Sequence, residues 1–289
     1  MSYSISSDET IDQGIRRIYK TCLNETISGL SPPIQNLHEA IHNSRKSFKF
    51  LRALVRLLQE PMGQGTYARE NQFFRDQGRE ISELRDLHVM SVVLQFVARE
   101  AQSVRPKDIE AGAKKLNHRE TLLLESMEEE DRFKEIISAL KQANHLLDEI
   151  PELSNSLAPL LPGLKNVYQK GKEAFHKAKV TADKEDFHEW RKEVKYLLNH
   201  HQVLSNYWPP EVGVNGTSLL QLSDYLGEEH DLAIFDDLLM EETFNENLGH
   251  IEAMENYVHQ KRSFLQRSAL NLGDFIYSKT EDEFISFFK

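Results

Sequence analysis

The sequence contains almost no cysteine. Cys22 is the only one in 289 residues, so no disulfide can form within the chain. A reducing compartment is the simple interpretation, and we expect a cytoplasmic protein. No run of about 18 apolar residues occurs, which predicts that no segment crosses a membrane. The first residues lack the basic and apolar regions of a signal peptide, so no secretion signal is expected.

Common motifs of phosphate-cleaving and metal-dependent enzymes are also missing. There is no Gly-x-x-x-x-Gly-Lys-Ser/Thr loop and no His-Glu-x-x-His motif. No acidic segment has the ligand spacing of a calcium loop. Strand signals are scarce as well, because alternation of polar and apolar residues is not sustained anywhere. We therefore expect an all-α fold with no cofactor, no metal site and no catalytic residue.

Charge is segregated along the chain although the net charge is −11. The stretch from His38 to Arg56 holds five Lys/Arg and one acidic residue, whereas Asp224 to Asn256 holds eleven Asp/Glu and no Lys or Arg. Such a distribution is compatible with an acidic outer surface around a focused basic site. An anionic partner is therefore not excluded by the negative total.

The basic stretch has the period of an α-helix with two distinct faces, which we expect to reach about Glu60. Steps of four and three residues separate the members of a cationic stripe: His38, His42, Arg45, Lys49, Arg52 and Arg56. A second stripe is apolar and is expected to be buried: Ile41, Phe48, Leu51, Val55 and Leu58.

The basic pattern recurs 146 residues later. His42-x-x-Arg45-Lys46-x-x-Lys49 returns as His188-x-x-Arg191-Lys192-x-x-Lys195, on a stripe that begins at Lys184 and has Leu198 and Gln202 where Arg52 and Arg56 would fall. The block Gly14 to Lys20 returns as Gly163 to Gln169, and Leu84-Arg85-Asp86 pairs loosely with Glu229-His230-Asp231. We predict one domain over 9–285, built from repeats at about 9–150 and 163–285 that a joint at about 151–162 connects. In the second repeat we expect two helices that meet at 231.

Helical stripes of this kind present cations at intervals of about 5 Å, a spacing that suits a flexible chain of phosphates. The first helices of the two repeats add four cations to the same predicted surface. The first repeat contributes Arg16, Arg17 and Lys20, and the second contributes Lys165. Aromatic residues near the stripes fall on the apolar side, as Phe48 and Trp190 do. Base stacking is therefore not expected, and no specific nucleic acid is predicted as a partner.

Two other interpretations fit the same residues. Basic stripes on amphipathic helices are usually solvated faces, in which case the chain is a helical interaction scaffold. Alternatively, His230-Asp231 with His188 and Asp224 supplies ligands for a metal-dependent phosphohydrolase. We interpret Arg85-Asp86 and His230-Asp231 mainly as structural pairs, in which the aspartate orients its neighbour or caps a helix.

At the paired His-x-x-Arg-Lys-x-x-Lys blocks, the chain resembles the CHAD family, the conserved histidine α-helical domain. The blocks around Tyr19 and Tyr168 and the Leu84-Arg85-Asp86 segment are similar to other motifs of that family, and the second copy has His230 in place of arginine. The resemblance implies two pseudo-symmetric four-helix bundles around a basic central cleft or pore. It also implies binding of inorganic polyphosphate, in some members at polyphosphate granules.

Many members of the family are fused to a CYTH triphosphatase-type domain, and this sequence has no Glu-x-Glu-x-Lys strand of that kind. The resemblance therefore implies a free-standing binding module that is not an enzyme; protein partners remain unknown. The residues expected to contact polyphosphate are Arg16, Arg17, Lys20, His42, Arg45, Lys46, Lys49, Arg52, Lys165, His188, Arg191, Lys192 and Lys195.

Overall fold

The computed structural model describes residues 3–101, 104–129, 131–245 and 251–288. Those residues form helices and contain no β-strand, which confirms the predicted all-α class. In the same ranges, no helix combines the length and the apolar character that a membrane span requires. The helices are α1 (Ile11–Leu30), α2 (Leu37–Leu57), α3 (Gln59–Met62), α4 (Gln64–Glu80), α5 (Ser82–Glu100), α6 (Pro106–Glu129), α7 (Arg132–Gln142), α8 (Leu146–Glu149), α9 (Leu161–Thr181), α10 (Lys184–Val203), α11 (Gly216–Met240), α12 (Glu242–Asn245), α13 (Ile251–Ile276) and α14 (Glu281–Ser286).

Helix α2 is the predicted basic helix. Asn36 caps it, since its side chain accepts a hydrogen bond from the backbone N–H of Glu39. All five apolar residues of the predicted inner stripe are buried. The helix ends at Leu57 rather than near Glu60, because Leu58 leaves helical geometry and Gln59–Met62 forms a separate turn of helix. Burial of the apolar stripe fixes which way the basic stripe points.

Helices α10 and α11 carry the second basic motif and the acidic stretch. Asp183 caps α10 through the backbone N–H of Glu185. The predicted break near 231 is wrong, because α11 continues without interruption from Gly216 to Met240. No proline interrupts this segment, and Leu226, Leu232 and Phe235 keep one face buried through it. His230 and Asp231 therefore project from the middle of a helix.

The two basic helices pack directly against each other. Inside the contact, His200 of α10 is completely buried and its Nε2 lies 2.8 Å from the carbonyl oxygen of Ala53 in α2. Burial lowers the pKa of His200 to about 4, so this link holds a neutral imidazole that donates one hydrogen bond. Close approach is also required nearby, since a Cβ at Gly163 of α9 would lie 2.5 Å from the carbonyl oxygen of Leu57.

Buried side chains fall into two clusters, and neither follows the predicted boundary at 151–162. The larger cluster joins α1, α2 and α4 to α9, α10 and the first half of α11. The smaller cluster joins α5 and α6 to the second half of α11 and α13. Each cluster thus contains residues from both predicted repeats, and a division into one separate bundle per repeat is not confirmed.

Candidate functional site

A cavity of about 740 Å³ lies between α2, α5, α10 and α11. We call it the basic cavity. Six Lys/Arg side chains line it: Arg45, Lys46, Lys49, Arg85, Arg191 and Lys195. Three aspartates also line it, Asp86, Asp224 and Asp231, so the lining has three more cationic than anionic side chains when histidine is neutral. The excess favours an anionic occupant.

Most cations of the basic cavity have no carboxylate partner in the part of the chain that the structure describes. Within the described ranges, Lys46, Lys49, Arg191 and Lys195 form no ion pair, whereas Arg45 Nη2 lies 3.4 Å from Asp86 Oδ1. Two guanidinium nitrogens, Arg45 Nη1 and Arg191 Nε, are buried and have no acceptor in that part of the chain. A buried donor without an acceptor is costly, by about 1–3 kcal/mol. Both guanidinium groups therefore carry a charge and keep a donor that the described part of the chain leaves unsatisfied.

Lys49 is the residue most affected by this environment. Burial, together with the neighbouring cations Arg191, Arg45 and Lys195, lowers its pKa to about 7. Burial and Arg191 also lower the pKa of Lys195. An anion in the cavity would raise both values, because it favours the charged ammonium. Ligand binding near neutral pH is thus expected to be coupled to proton uptake.

Four histidines line or adjoin the cavity, and the pKa of each is lowered by burial: His42, His201 and His230 line it, and His188 adjoins it. Burial, Arg85 and Lys46 lower the pKa of His42. His188 does not line the cavity itself, but its Nδ1 lies 3.2 Å from Nδ1 of the lining residue His230. Burial, Arg191 and His188 lower the pKa of His230 to about 3. These imidazoles serve as neutral hydrogen-bonding groups near neutral pH.

Six of the thirteen residues predicted to contact ligand line the basic cavity: His42, Arg45, Lys46, Lys49, Arg191 and Lys195. Among them, Arg45 and Lys49 of α2 and their counterparts Arg191 and Lys195 of α10 are brought together by the direct packing of these helices. The core of the predicted site therefore converges on one space.

Most of the other predicted residues lie outside the lining and are engaged elsewhere. Their ion pairs are Arg16–Asp12, Arg17–Glu9, Lys165–Asp282 and Lys192–Glu189. Lys20 is exposed on α1 and is not part of the lining. The structure does not bring these five cations to the cavity, so their contact with ligand stays a prediction.

Arg52 also lies outside the lining, although it continues the stripe of α2. Its Nε donates to Asn71 Oδ1 at 3.1 Å, and its guanidinium carbon is 5.7 Å from the ring centre of Tyr196. Arg56 stacks on the same ring at 4.2 Å. By contrast, Leu198 and Gln202 of α10, the counterparts of these two arginines, do line the cavity.

Sequence reasoning assigned Arg85-Asp86 and His230-Asp231 to structural pairing, yet all four residues line the cavity. The pairing is real for Asp86, which contacts Arg45 of α2 rather than its neighbour Arg85. The signal available in the sequence was that the two dipeptides occupy corresponding places after the two basic helices. Arg85 adds a cation from α5, a third helix, to those of α2 and α10.

The sequence matches the family model of the CHAD domain over residues 30–240. The chain belongs to the CHAD family. The match includes every residue that lines the basic cavity except Ser4, whereas Arg16, Arg17 and Lys20 precede it. A search of curated proteins gives no match for the chain.

This CHAD domain has a second cavity, of about 520 Å³, whose lining shares five residues with the basic cavity: Arg191, Lys195, Ser223, Asp224 and Asp231. Its lining is otherwise different, since it adds Glu228 and the apolar side chains of Val92, Val93, Phe96 and Leu232. With Asp224 and Asp231 also present, carboxylates outnumber cations there. An anion is therefore favoured in the basic cavity and disfavoured beyond Arg191 and Lys195.

Proposed function

We propose that this CHAD domain binds inorganic polyphosphate in the basic cavity and does not cleave it. The observation that carries the proposal is that Lys49, Arg191 and Lys195, which are partly buried on two facing helices, have no carboxylate partner among the described residues. Membership of the CHAD family is consistent with polyphosphate binding in general. Arginine forks and lysine ammonium groups at this density suit closely spaced phosphoryl oxygens.

A phosphate chain fits the lining better than a nucleic acid does. No Phe, Tyr or Trp is among the described residues that line the basic cavity, so a base would find no ring to stack on. The cavity is within the size range of small-ligand sites, about 300–1,000 Å³. It therefore suits a short section of a phosphate chain, with the rest of a long chain extending into solvent.

The hydrolase alternative has less support from the same geometry. His230 is surrounded by Arg191, Lys49 and Arg45, whose charges lower its pKa and would also repel a divalent cation. Within the described residues, His188, His230 and Asp231 do not form a group of three metal-ligating side chains close enough to share one ion. Both observations favour a binding role.

The scaffold alternative requires the basic stripes to be solvated faces. The side chain of Arg45 is only 19% exposed, and Lys49 and Arg191 are partly buried as well. A face that merely contacts water would not keep cations desolvated and close to one another, because both conditions destabilise the fold. An anionic ligand that neutralises these cations would offset that cost, so the arrangement favours a binding role over a solvated face.

Three finer expectations belong to the same proposal. The domain is expected to span about 9–285 as two pseudo-symmetric four-helix units, with the basic cavity between their two basic helices. The protein is expected in the cytoplasm, and an association with polyphosphate granules would follow from the binding itself. Comparing the cellular distribution of wild-type protein and a cavity variant, with and without stored polyphosphate, tests the last point.

The primary experiment is a thermal melt at low salt with and without long-chain polyphosphate, using sulfate at matched ionic strength as the control. At about 100 times Kd, the ligand adds about 2.7 kcal/mol of stability, which raises Tm by several degrees. We expect this rise in the wild type and its loss in the double variant Arg45→Glu, Arg191→Glu.

A matched variant separates the cavity from overall charge. Lys20→Glu with Lys165→Glu removes the same charge from α1 and α9, outside the cavity lining. We expect this variant to retain the rise in Tm. An equal loss in both double variants would place binding on the general surface, and no rise in the wild type would contradict the proposal.

Catalysis and nucleic-acid binding are tested on the same protein. We expect no release of phosphate from polyphosphate with Mg²⁺ or Mn²⁺ present, and release that disappears in His230→Ala would favour the hydrolase. Single-stranded DNA of matched charge is expected to bind more weakly than polyphosphate. Tighter binding of the DNA would overturn the predicted preference for a bare phosphate chain.

A further inference from the structure

A second group of ligand-type side chains lies beside the start of α2. His38 of α2, His88 of α5 and Glu120 of α6 each offer one ligand atom, and these atoms lie within 4.8 Å of one another. The two imidazole rings are stacked with their centres 4.0 Å apart. His38 Nδ1 lies 3.3 Å from Glu120 Oε1. Three helices that are separate in the sequence thus bring two imidazole nitrogens and one carboxylate oxygen into one small group.

The contact between His38 and Glu120 has the distance but not the geometry of a hydrogen bond. Glu120 Oε1 is buried and has no hydrogen-bond donor among the described residues. A tetrahedral Zn²⁺ ion with bonds of 2.0–2.1 Å holds adjacent ligand atoms about 3.4 Å apart. The observed separation of 3.3 Å matches that edge. In the observed stack the His88 ring faces the His38 ring, so binding of one ion by both requires the His88 side chain to rotate.

We propose that His38, His88 and Glu120 form a binding site for Zn²⁺ or a similar borderline divalent ion. Two imidazoles and one carboxylate suit such ions, whereas Mg²⁺ and Ca²⁺ require oxygen ligands. The described part of the chain adds no fourth side chain to this group, so water or another small ligand completes the tetrahedron. The site does not overlap the residues that line the basic cavity.

A bound ion would tie α2, α5 and α6 together at a useful place. His38 lies one helical turn before His42, and His88 lies three residues after Arg85; both His42 and Arg85 line the basic cavity. The ion would therefore fix two walls of that cavity relative to each other. This inference does not depend on polyphosphate, and its test uses protein without polyphosphate.

The test is a titration of chelator-treated, full-length protein with ZnCl₂, followed by calorimetry and by thermal melting. We expect one high-affinity ion per chain and a rise in Tm of about 5 °C at 100 times Kd, with no rise in MgCl₂. The conservative variant Glu120→Gln is expected to lose at least about tenfold in affinity. Tetrahedral Co²⁺ bands in the visible spectrum of the wild type are expected to be absent from His88→Ala.

The matched control is His118→Ala, which removes an exposed histidine from the same helix, α6. The chain has twelve histidines, so adventitious zinc binding must be separated from binding at this site. We expect His118→Ala to bind zinc as the wild type does. Equal affinity in the wild type and Glu120→Gln, with circular dichroism showing both folded, would overturn the proposal, as would an absence of tight binding in the wild type.

Discussion

Helices α2 and α10 carry the same motif but contribute to the basic cavity in different ways. The first helix contributes His42, Arg45, Lys46 and Lys49, over its middle turns. The second begins to contribute only at Arg191 and continues to Gln202, so its lining residues are shifted toward the C-terminus. Arg45 and Lys49 share this role with their counterparts Arg191 and Lys195, whereas the flanking positions do not.

The difference shows what turns a cation into a candidate ligand-binding group. Lys192 corresponds to Lys46, yet Lys192 pairs with Glu189 while Lys46 forms no ion pair within the described ranges. Arg52 corresponds to Leu198, yet the arginine stacks on Tyr196 and the leucine lines the cavity. A basic residue is available to a ligand where the packing of the helices places its side chain in the cavity lining and places no carboxylate within ion-pair distance of it.

The largest effect is expected from adjacent residues of α10. Arg191→Glu should weaken polyphosphate binding about 100-fold, since it replaces a buried donor with a repelling charge. Lys192→Glu makes the same change one residue later, outside the lining, and should cost less than about threefold. Calorimetric Kd values at constant ionic strength measure both. Equal losses would mean that the two positions act only through overall charge.

The next largest effect is the pH dependence of polyphosphate affinity, which we expect to arise mainly from Lys49 among the cations of the basic cavity. The free protein loses the Lys49 proton as pH rises through about 7, whereas bound phosphate raises that pKa and retains the proton. Affinity should therefore fall as pH rises above 7, by up to about tenfold per pH unit until the pKa of the complex is reached. Calorimetry in buffers of different ionisation enthalpy should show proton uptake at pH 8.

Lys49→Arg provides the control, because a guanidinium stays charged throughout this range. The variant should bind with little pH dependence above 7 and with reduced proton uptake. Lys195→Arg should remove a further part of the dependence, since the pKa of Lys195 is also lowered. A wild-type affinity that is constant from pH 7 to about 9 would show that Lys49 remains charged in the free protein.

A smaller gain is expected from making the helices more alike. Gln202 lines the cavity at the place where α2 has Arg56. Gln202→Arg should raise polyphosphate affinity about fivefold and steepen its salt dependence by about one unit of the log–log slope. Gln221→Arg, at an exposed position outside the lining, adds the same charge as a control. An equal gain from both variants would argue against a local contact.

The smallest effect on binding is expected at Arg52. Arg52→Ala removes the hydrogen bond to Asn71 and the contact with Tyr196, so the free energy of unfolding should fall by about 1 kcal/mol and Tm by about 2 °C. Polyphosphate affinity should stay within about twofold of the wild type. A loss comparable to that of Arg45→Ala would restore the ligand role that the sequence predicts for this residue.

Much of the fold could be predicted from local patterns. The inner stripe of α2 from Ile41 to Leu58 is buried as expected. The error at 231 arose because His230-Asp231 resembles a polar boundary, although no proline or cap ends the helix there. The zinc candidate was not predicted, since His38, His88 and Glu120 share no spacing in the sequence.

The sequence by itself determined the helical class, the two basic motifs and the side of each helix that is buried, because periodicity and capping act over a few residues. The tertiary structure decided which cations meet. Lys165 and Lys195 look alike in the sequence, but one pairs with Asp282 on a distant helix and the other lines the cavity without an ion pair in the described ranges. Whether a cation is paired or desolvated depends on residues that are distant in the sequence, and only the packing of the helices determines which of them become its neighbours.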